Sequence, residues 1–488
     1  MFEHESILPD ELSVALPSED LSRFQIAETV LTRIGEKLID RDAKIPQEVV
    51  ASTIQRHFSA VGRALQSDKF TAAMYYLTSP YFAGTLSPFS DTCFAILHEN
   101  IGVLEACLQN ERCDKDVAKS AFHGIVLLLE KGTQVQRVRA RKVLDNNSAF
   151  VGKGISSKVF AEDAWKYCAI RYLEERAEGR DDHAPIAVAT RSLETLDPNS
   201  AEVVSTGLRG IEIDYPTFVY EVARSFLEQA GVDRKMSRDI VSSWRVTREG
   251  NHYPTEIVIA NVLAIRALLK HDPDSVGKLY RLFGITHFGR YPVEVLMDQL
   301  SGLADKKNRF GVFISAYDDW NGAFYSDRQN IGSLWRQLKK IGYRMRIIEA
   351  RGRPSLARRL ISLKQRYGRK MEFRVIMGHG SRSSVTLGRS GQFSDLESEP
   401  ADTKKTAEFG QELFVAGAPM LFISCSTGKL GGIAQSYSRL FGGDASGPKE
   451  NTSVERIQVH KGKSGLPVFT VEYRKGDPAA YLANEAPL

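Results

Sequence analysis

Phe373-Arg374-Val375-Ile376-Met377-Gly378-His379-Gly380-Ser381 and Pro419-Met420-Leu421-Phe422-Ile423-Ser424-Cys425-Ser426-Thr427-Gly428 decide the fold of this chain. Each is a short apolar run of strand-forming residues that turns abruptly polar and then meets glycine. In an open parallel sheet, ligands and chemistry collect at the C-terminal ends of the strands. A histidine ending one strand and a cysteine ending the next would therefore stand side by side. Imidazole beside thiol is the arrangement of a nucleophilic cysteine and its proton-transfer partner.

Working outward, the same alternation extends in both directions. Phe310–Ala316, Tyr343–Ile348, Met371–Met377 and Pro419–Ser424 read as strands. Between and after them, Asn330–Ile341, Ser355–Arg366, Lys404–Val415 and Gly432–Phe441 read as helices, and Val454–His460 and Leu466–Tyr473 as two further strands. Alternating strand and helix at these lengths predicts βαβ units, a mainly parallel sheet and right-handed crossovers. The charged stretch Ala304-Asp305-Lys306-Lys307-Asn308 marks the domain boundary, which gives an α/β domain over 309–488.

Before that boundary, residues 45–303 read as helix after helix. Phe94–Leu108, Asp116–Glu130, Ala161–Glu175, Tyr215–Gln229, Thr255–Lys270 and Val276–Leu282 carry helical spacing of apolar residues. Turn-forming clusters punctuate them, such as Asp197-Pro198-Asn199-Ser200 and His271-Asp272-Pro273-Asp274. Helix pairs in series predict an all-α, solenoid-like region, although no repeat consensus aligns, and an irregular helical domain stays open. Residues 1–44 are polar, acidic and proline-punctuated, a composition that favours partial disorder.

The chain has 488 residues, long for one core, so a multidomain protein is expected. Its 42% hydrophobic and 26% charged residues are ordinary for a soluble globular protein, and a net charge of +5 does not by itself point to nucleic acid. Five cysteines, an odd number with no CxxC pair, read as reduced thiols of a cytoplasmic protein. The histidines are scattered, with no HExxH or Cys/His spacing, so no metal and no cofactor is expected. No apolar run approaches the ~20 residues of a membrane span, and no secretory signal is visible at the acidic start. There is no GxSxG elbow and no GxxxxGK[ST] loop, and Gly431 stands where a phosphatase Cys-x5-Arg loop needs arginine.

Gly378-His379-Gly380-Ser381 and Ser424-Cys425-Ser426-Thr427-Gly428, each behind a strand, resemble the caspase–separase–CHAT group of cysteine peptidases. The pairing is nearest to the separase and CHAT branches; the Gln-Ala-Cys-Xaa-Gly sequence of a caspase proper is missing. The resemblance spans roughly Arg309 to Asp477. It implies a caspase-like domain with Cys425 as nucleophile, His379 as general acid–base, and Gly380 and Cys425 N–H groups holding the oxyanion. It also implies a cysteine endopeptidase acting on protein or peptide substrates, with the helical region binding a regulatory protein partner. CHAT-type peptidases of bacteria often carry helical repeats and act in defence or cell-death modules, a role implied by analogy alone. The other four cysteines, Cys93, Cys107, Cys113 and Cys168, read as small core residues.

The first strand ends in Ala316-Tyr317-Asp318-Asp319-Trp320, and in related peptidases the loop at this place contributes to the substrate pocket. Asp318 and Asp319, with Asp444 after the cysteine helix, would attract a basic side chain. Against this, such carboxylates also cap turns, and Ile423 stands where metacaspases have an acidic residue two before the cysteine. The polar stretch Arg389–Lys405 is either a gate or cleavage loop or a plain solvated loop. From Lys339 to Lys370 twelve basic residues face one acid, Glu349. That reads as a solvated helix face, with few aromatics for nucleic-acid stacking. The rival to the peptidase reading is a degenerate peptidase serving as a helical-repeat scaffold.

Overall fold

The computed structural model describes residues 90–154, 160–177, 184–195, 215–245, 254–301, 308–388, 395–476 and 478–481, with a few single positions between 61 and 78. The polar segment 1–44, the turn Asp197–Ser200, the boundary residues 304–307 and part of the 389–405 stretch lie outside the described residues. The chain divides into two compact units, Met1–Phe218 and Val219–Leu488.

The first unit is helical: α1 (Ser90–Glu99), α2 (Ile101–Gln109), α3 (Lys115–Lys131), α4 (Gln134–Asn146), α5 (Ser148–Gly154), α6 (Ala161–Ala177) and α7 (Ala184–Thr195). Local chemistry sets its punctuation. The Asp114 carboxylate accepts the N–H groups of Asp116 and Val117 and starts α3. Thr133 and Gln136 form a reciprocal capping box that starts α4. The single helix expected over Phe94–Leu108 is instead two. Asn100 leaves helical geometry at φ −96°, ψ 13°, and its side-chain amide donates to the Ile96 carbonyl at 2.9 Å. An asparagine that bonds the preceding turn offers the backbone an alternative to continuing the helix.

The second unit opens with α8 (Tyr215–Gln229, which crosses the boundary), α9 (Arg234–Ser243), α10 (Pro254–His271), α11 (Ser275–Phe283) and α12 (Val293–Ser301). The charged stretch at 304–308 marks where the pattern changes from helical to alternating, but the compact unit holding the sheet begins earlier, at Val219. Side chains explain why. Gln299 of α12 is fully buried, donates to Met345 O at 2.9 Å and accepts Ile347 N–H at 3.1 Å. Glu349 accepts from Thr286 N–H and Oγ1–H at 2.8 Å and from the Tyr291 hydroxyl at 2.8 Å. Helix α12 and the segment from Thr286 to Tyr291 thus satisfy buried polar groups of β2.

The sheet follows as β1 (Arg309–Ala316), α13 (Arg328–Lys340), β2 (Tyr343–Ala350), α14 (Arg353–Tyr367), β3 (Arg374–Met377), β4 (His379–Gly380), β5 (Ser384–Thr386), β6 (Asp395–Glu397), α15 (Thr403–Leu413), β7 (Met420–Ile423), α16 (Ile433–Phe441), β8 (Ala445–Pro448), β9 (Val454–Lys461), β10 (Pro467–Tyr473) and β11 (Pro478–Tyr481). The main sheet has the order β11-β8-β7-β3-β1-β2. Its strands β8, β7, β3, β1 and β2 run parallel, and β11 closes the edge antiparallel to β8. The chain goes from β1 outward to β2, then back past β1 to β3. That reversal is the switch point at which crevices open in α/β sheets. The strands β4, β5 and β6 form a small antiparallel sheet, and β9 and β10 a hairpin.

Six of the twelve basic residues between Lys339 and Lys370 meet a carboxylate where they lie. Arg344 pairs with Asp298, Arg351 with Asp239, Arg353 with Glu397, Lys364 with Glu412 and Arg369 with Glu372. Arg346 is fully buried beside Asp298. Ion pairs, several of them solvent-exposed, thus interrupt the expected solvated face without removing it.

Candidate active site

Three strand ends meet on one edge of the sheet. β3 and β7 are paired in register up to Met377 opposite Ile423, and β1 lies on the other side of β3 with Ser315 opposite Met377. One step further, the Gly378 N–H donates to the Ser424 hydroxyl at 3.1 Å. A Cβ added at Gly380 would come within 2.6 Å of the Cys425 carbonyl oxygen and 2.9 Å of its nitrogen. Only glycine allows that approach, so the two motifs singled out in the sequence are in backbone contact. His379 and Cys425 line one cleft of about 960 Å³, together with Phe324, Asp327, Thr452 and Arg474.

Cys425 is presented by a sharp turn. After the buried apolar run of β7, Ser426 adopts φ +57°, the left-handed region, which among the described residues no other non-glycine residue does. Such a conformation costs about 1–3 kcal/mol and persists only where neighbours hold it. Here Ser426 N–H donates to Glu450 O at 3.0 Å and its hydroxyl to Asn451 Oδ1 at 3.1 Å, while the Thr427 hydroxyl donates to Ser424 O at 2.7 Å. The turn leaves Cys425 half-buried, its sulfur 3.7 Å from Thr452 O. Of the other thiols, Cys93 and Cys168 are buried as core residues, whereas Cys107 on α2 and Cys113 in the turn before α3, also expected in the core, are only half-buried. Burial pushes Cys168 up to about 12 and Cys93 up as well, and burial with the neighbouring Cys113 pushes Cys107 up to about 11.

His379 is held by an aromatic clamp and a carboxylate. Its ring stacks at a tilt against Trp320 (centroids 5.2 Å, 31°) and Phe324 (4.7 Å, 36°). Its Nε2 lies 3.4 Å from Asp319 Oδ1, an ion-pair distance rather than a tight hydrogen bond. The other Asp319 oxygen accepts the Phe324 N–H at 3.2 Å and faces Arg290 Nη2 at 3.2 Å. Burial drives the Asp319 carboxyl upward, but the Arg290 guanidinium, the His379 contact and the nearby His287 outweigh it and hold it below the usual range. Arg290 is itself fully buried and donates to Ala316 O at 2.7 Å. Behind it, burial raises Glu349, yet His287, Arg290 and the Thr286 N–H bring it down to about 2. An ionised carboxylate thus backs the imidazole, and a second buried layer fixes that carboxylate.

The acids expected to form a substrate pocket are distributed otherwise. Asp319 is committed to Arg290 and His379, so it is no counter-ion for an incoming basic group. Asp318 is 6% exposed, and its N–H donates to Leu387 O at 3.1 Å, beneath the rim. Asp444 is exposed just before β8, whose first residue, Ala445, pairs with Met420, the first residue of β7. It stands at the opposite end of the sheet from Cys425. Two acids do line the cleft, Asp327 and the exposed Glu455; burial pushes Asp327 up to about 6, opposed by the Asn330 side chain and, more weakly, by Arg474.

Trp320 and Asp319 lie in the stretch already quoted at the end of β1, so their place beside the site was legible there. Arg290, Phe324 and Asp327 had no local signal; only the fold brings them in. Among the described residues no group of histidine, cysteine and carboxylate side chains is arranged to hold a metal ion, and no helix is long and apolar enough to cross a membrane. No protein-family model matches the chain, and no curated protein or solved structure matches it.

Proposed function

We propose that the chain is a cysteine endopeptidase in which Cys425 is the nucleophile and His379 the general acid–base. The observation that carries this reading is the backbone contact of Gly380 with Cys425, which puts imidazole and thiol on one cleft. In this reading Cys425 is the nucleophile, His379 its base and Asp319 the orienting carboxylate, the set of groups by which a thiol is activated. With Nε2 turned to Asp319, Nδ1 is the ring nitrogen left for proton exchange with sulfur. The thiol proton passes to the imidazole and the sulfur attacks the scissile carbonyl. The imidazolium then protonates the leaving amine, and water hydrolyses the thioester. Backbone N–H groups of Gly380 and Cys425 are the donors assigned to the oxyanion; one such donor is worth about 3–4 kcal/mol in the transition state.

The strand order β2-β1-β3-β7-β8, with histidine after β3 and cysteine after β7, supports a caspase-like domain related to separase and CHAT peptidases. The helical first unit is assigned a solenoid-like regulatory role, binding a protein partner, and the unpaired thiols fit a cytoplasmic setting. With Asp319 engaged, preference for a basic residue would rest on Asp327 and Glu455.

A peptide-library cleavage profile of the wild type beside Cys425→Ser tests the reading. Cleavage that disappears in the variant is expected. Absence of any Cys425-dependent cleavage, with the fold intact, would leave the scaffold reading in its place.

A further inference from the structure

A second cavity, of about 360 Å³, lies between the sheet and helices α14, α15 and α16. Its walls are apolar, with Ile314 and Ile376 from the strands, Leu360 from α14, Phe409 from α15 and Phe441 from α16. Of the charged residues that line it, Arg353, Glu397, Asp402 and Lys405 are at least partly exposed, and Arg374 alone is buried. Arg374, the first residue of β3, is 4% exposed and lines the cavity, its guanidinium between the rings of Phe414 (4.3 Å) and Phe441 (4.4 Å). Among the described residues no carboxylate lies within ion-pair distance of it and no acceptor reaches its guanidinium; its Nε is buried without a partner. The other deeply buried arginines are not left so: Arg290 faces Asp319, and Arg346 faces Asp298. The acids at the cavity's rim are occupied elsewhere, Glu397 by Arg353 at 3.2 Å and Asp402 by Lys405 at 3.0 Å.

Burying a cation without a counter-ion is expensive, and two aromatic faces offset only about 2 kcal/mol each. Burial draws the Arg374 group down to about 9, as expected of a guanidinium that lacks an anion. A mostly apolar cavity with a few polar groups, one of them a buried charge, is the usual form of a small-molecule site. At about 30 Å³ per heavy atom, the share of a water in the liquid, the space takes on the order of a dozen heavy atoms.

We propose that this cavity binds a small amphiphile with one carboxylate, the carboxylate pairing with Arg374 and an apolar chain of about eight to ten carbons filling the space toward Leu360 and Phe409. The inference does not depend on the peptidase reading, since its site and its readout are separate from the cleft.

Decanoate and decan-1-ol, titrated into the full chain by calorimetry with thermal unfolding in parallel, separate charge recognition from apolar uptake. Decanoate is expected to bind at least tenfold more tightly than decan-1-ol and to raise the unfolding temperature. Arg374→Met, which removes an uncompensated buried charge, is expected to unfold at an equal or higher temperature without ligand. In it the preference for decanoate should be lost. Ala357→Trp, which fills the cavity and leaves Arg374 in place, should abolish uptake of both. Equal binding of the two ligands by the wild type, no binding of decanoate, or unchanged decanoate binding in Arg374→Met would overturn the proposal. Should Ala357→Trp fail to fold, the comparison of ligands and the Arg374→Met arm still decide it.

Discussion

Asp319 links the His379 imidazole to the buried interior of its unit. It holds the imidazole at 3.4 Å and is itself fixed by Arg290 and the Phe324 N–H. Asp319→Asn keeps the shape and removes the charge. We expect kcat to fall about tenfold to a hundredfold, as for outer-shell partners of a reactive histidine. The acid limb of the pH–rate profile should move as well, which a purely structural lesion would not do. Asp327 gives a prediction on stability. Its folded pKa of about 6 lies above the ordinary 3.8, so the folded state disfavours its ionised form. The resulting deficit is fully present above pH 6 and vanishes as pH falls below 3.8. Asp327→Asn should therefore be more stable than the wild type at pH 8, by about 1 kcal/mol after allowance for partial exposure. Below pH 4 the two should unfold alike, which thermal melts across the range would show.

At the scale of elements, the site depends on two strands approaching within the thickness of a glycine. Gly380→Ala must push β4 from β7 or distort the turn at Cys425, since its Cβ would sit 2.6 Å from the Cys425 carbonyl. Overpacking of this kind costs about 1–3 kcal/mol, and we expect turnover to drop at least a hundredfold with far-UV circular dichroism unchanged. Gly102→Ala is the control: it lies in α2 with nothing within 4 Å of the added Cβ, and should stabilise by about 0.5–1 kcal/mol without affecting turnover. Elements with a strong apolar run were legible in the sequence. β1, β2 and β7 fall within a residue or two of where the hydrophobic runs of Phe310, Tyr343 and Met420 put them. β8 was not legible, because Ala-Ser-Gly-Pro has no strand preference of its own and is a strand only through β7 and β11. The two- and three-residue strands β4–β6 are set in the same way by their partners. Cys425 and His379 stood out because each follows an apolar run and meets glycine. Arg290 and Asp327 did not, since their role comes from distant segments brought together.

At the scale of the molecule, composition and compactness disagree about where the sheet-bearing unit starts. The composition changes at 304–308, yet buried bonds tie α12 and the segment from Thr286 to Tyr291 to β2. A fragment starting at Arg309 would leave Glu349, Arg346 and the β2 backbone without those partners, at several kcal/mol. We expect residues 215–488, which keep α8 whole, to unfold cooperatively in urea, and residues 309–488 to show no cooperative transition. Equal cooperativity of the two fragments would contradict the boundary at Val219. The central claim is tested by exposing the full chain to a peptide acyloxymethyl ketone and mapping the adduct by mass. The account predicts one adduct on Cys425, absent in Cys425→Ala and strongly slowed in His379→Ala. Labelling that spreads to Cys107 or Cys113, or that spares Cys425, would contradict it.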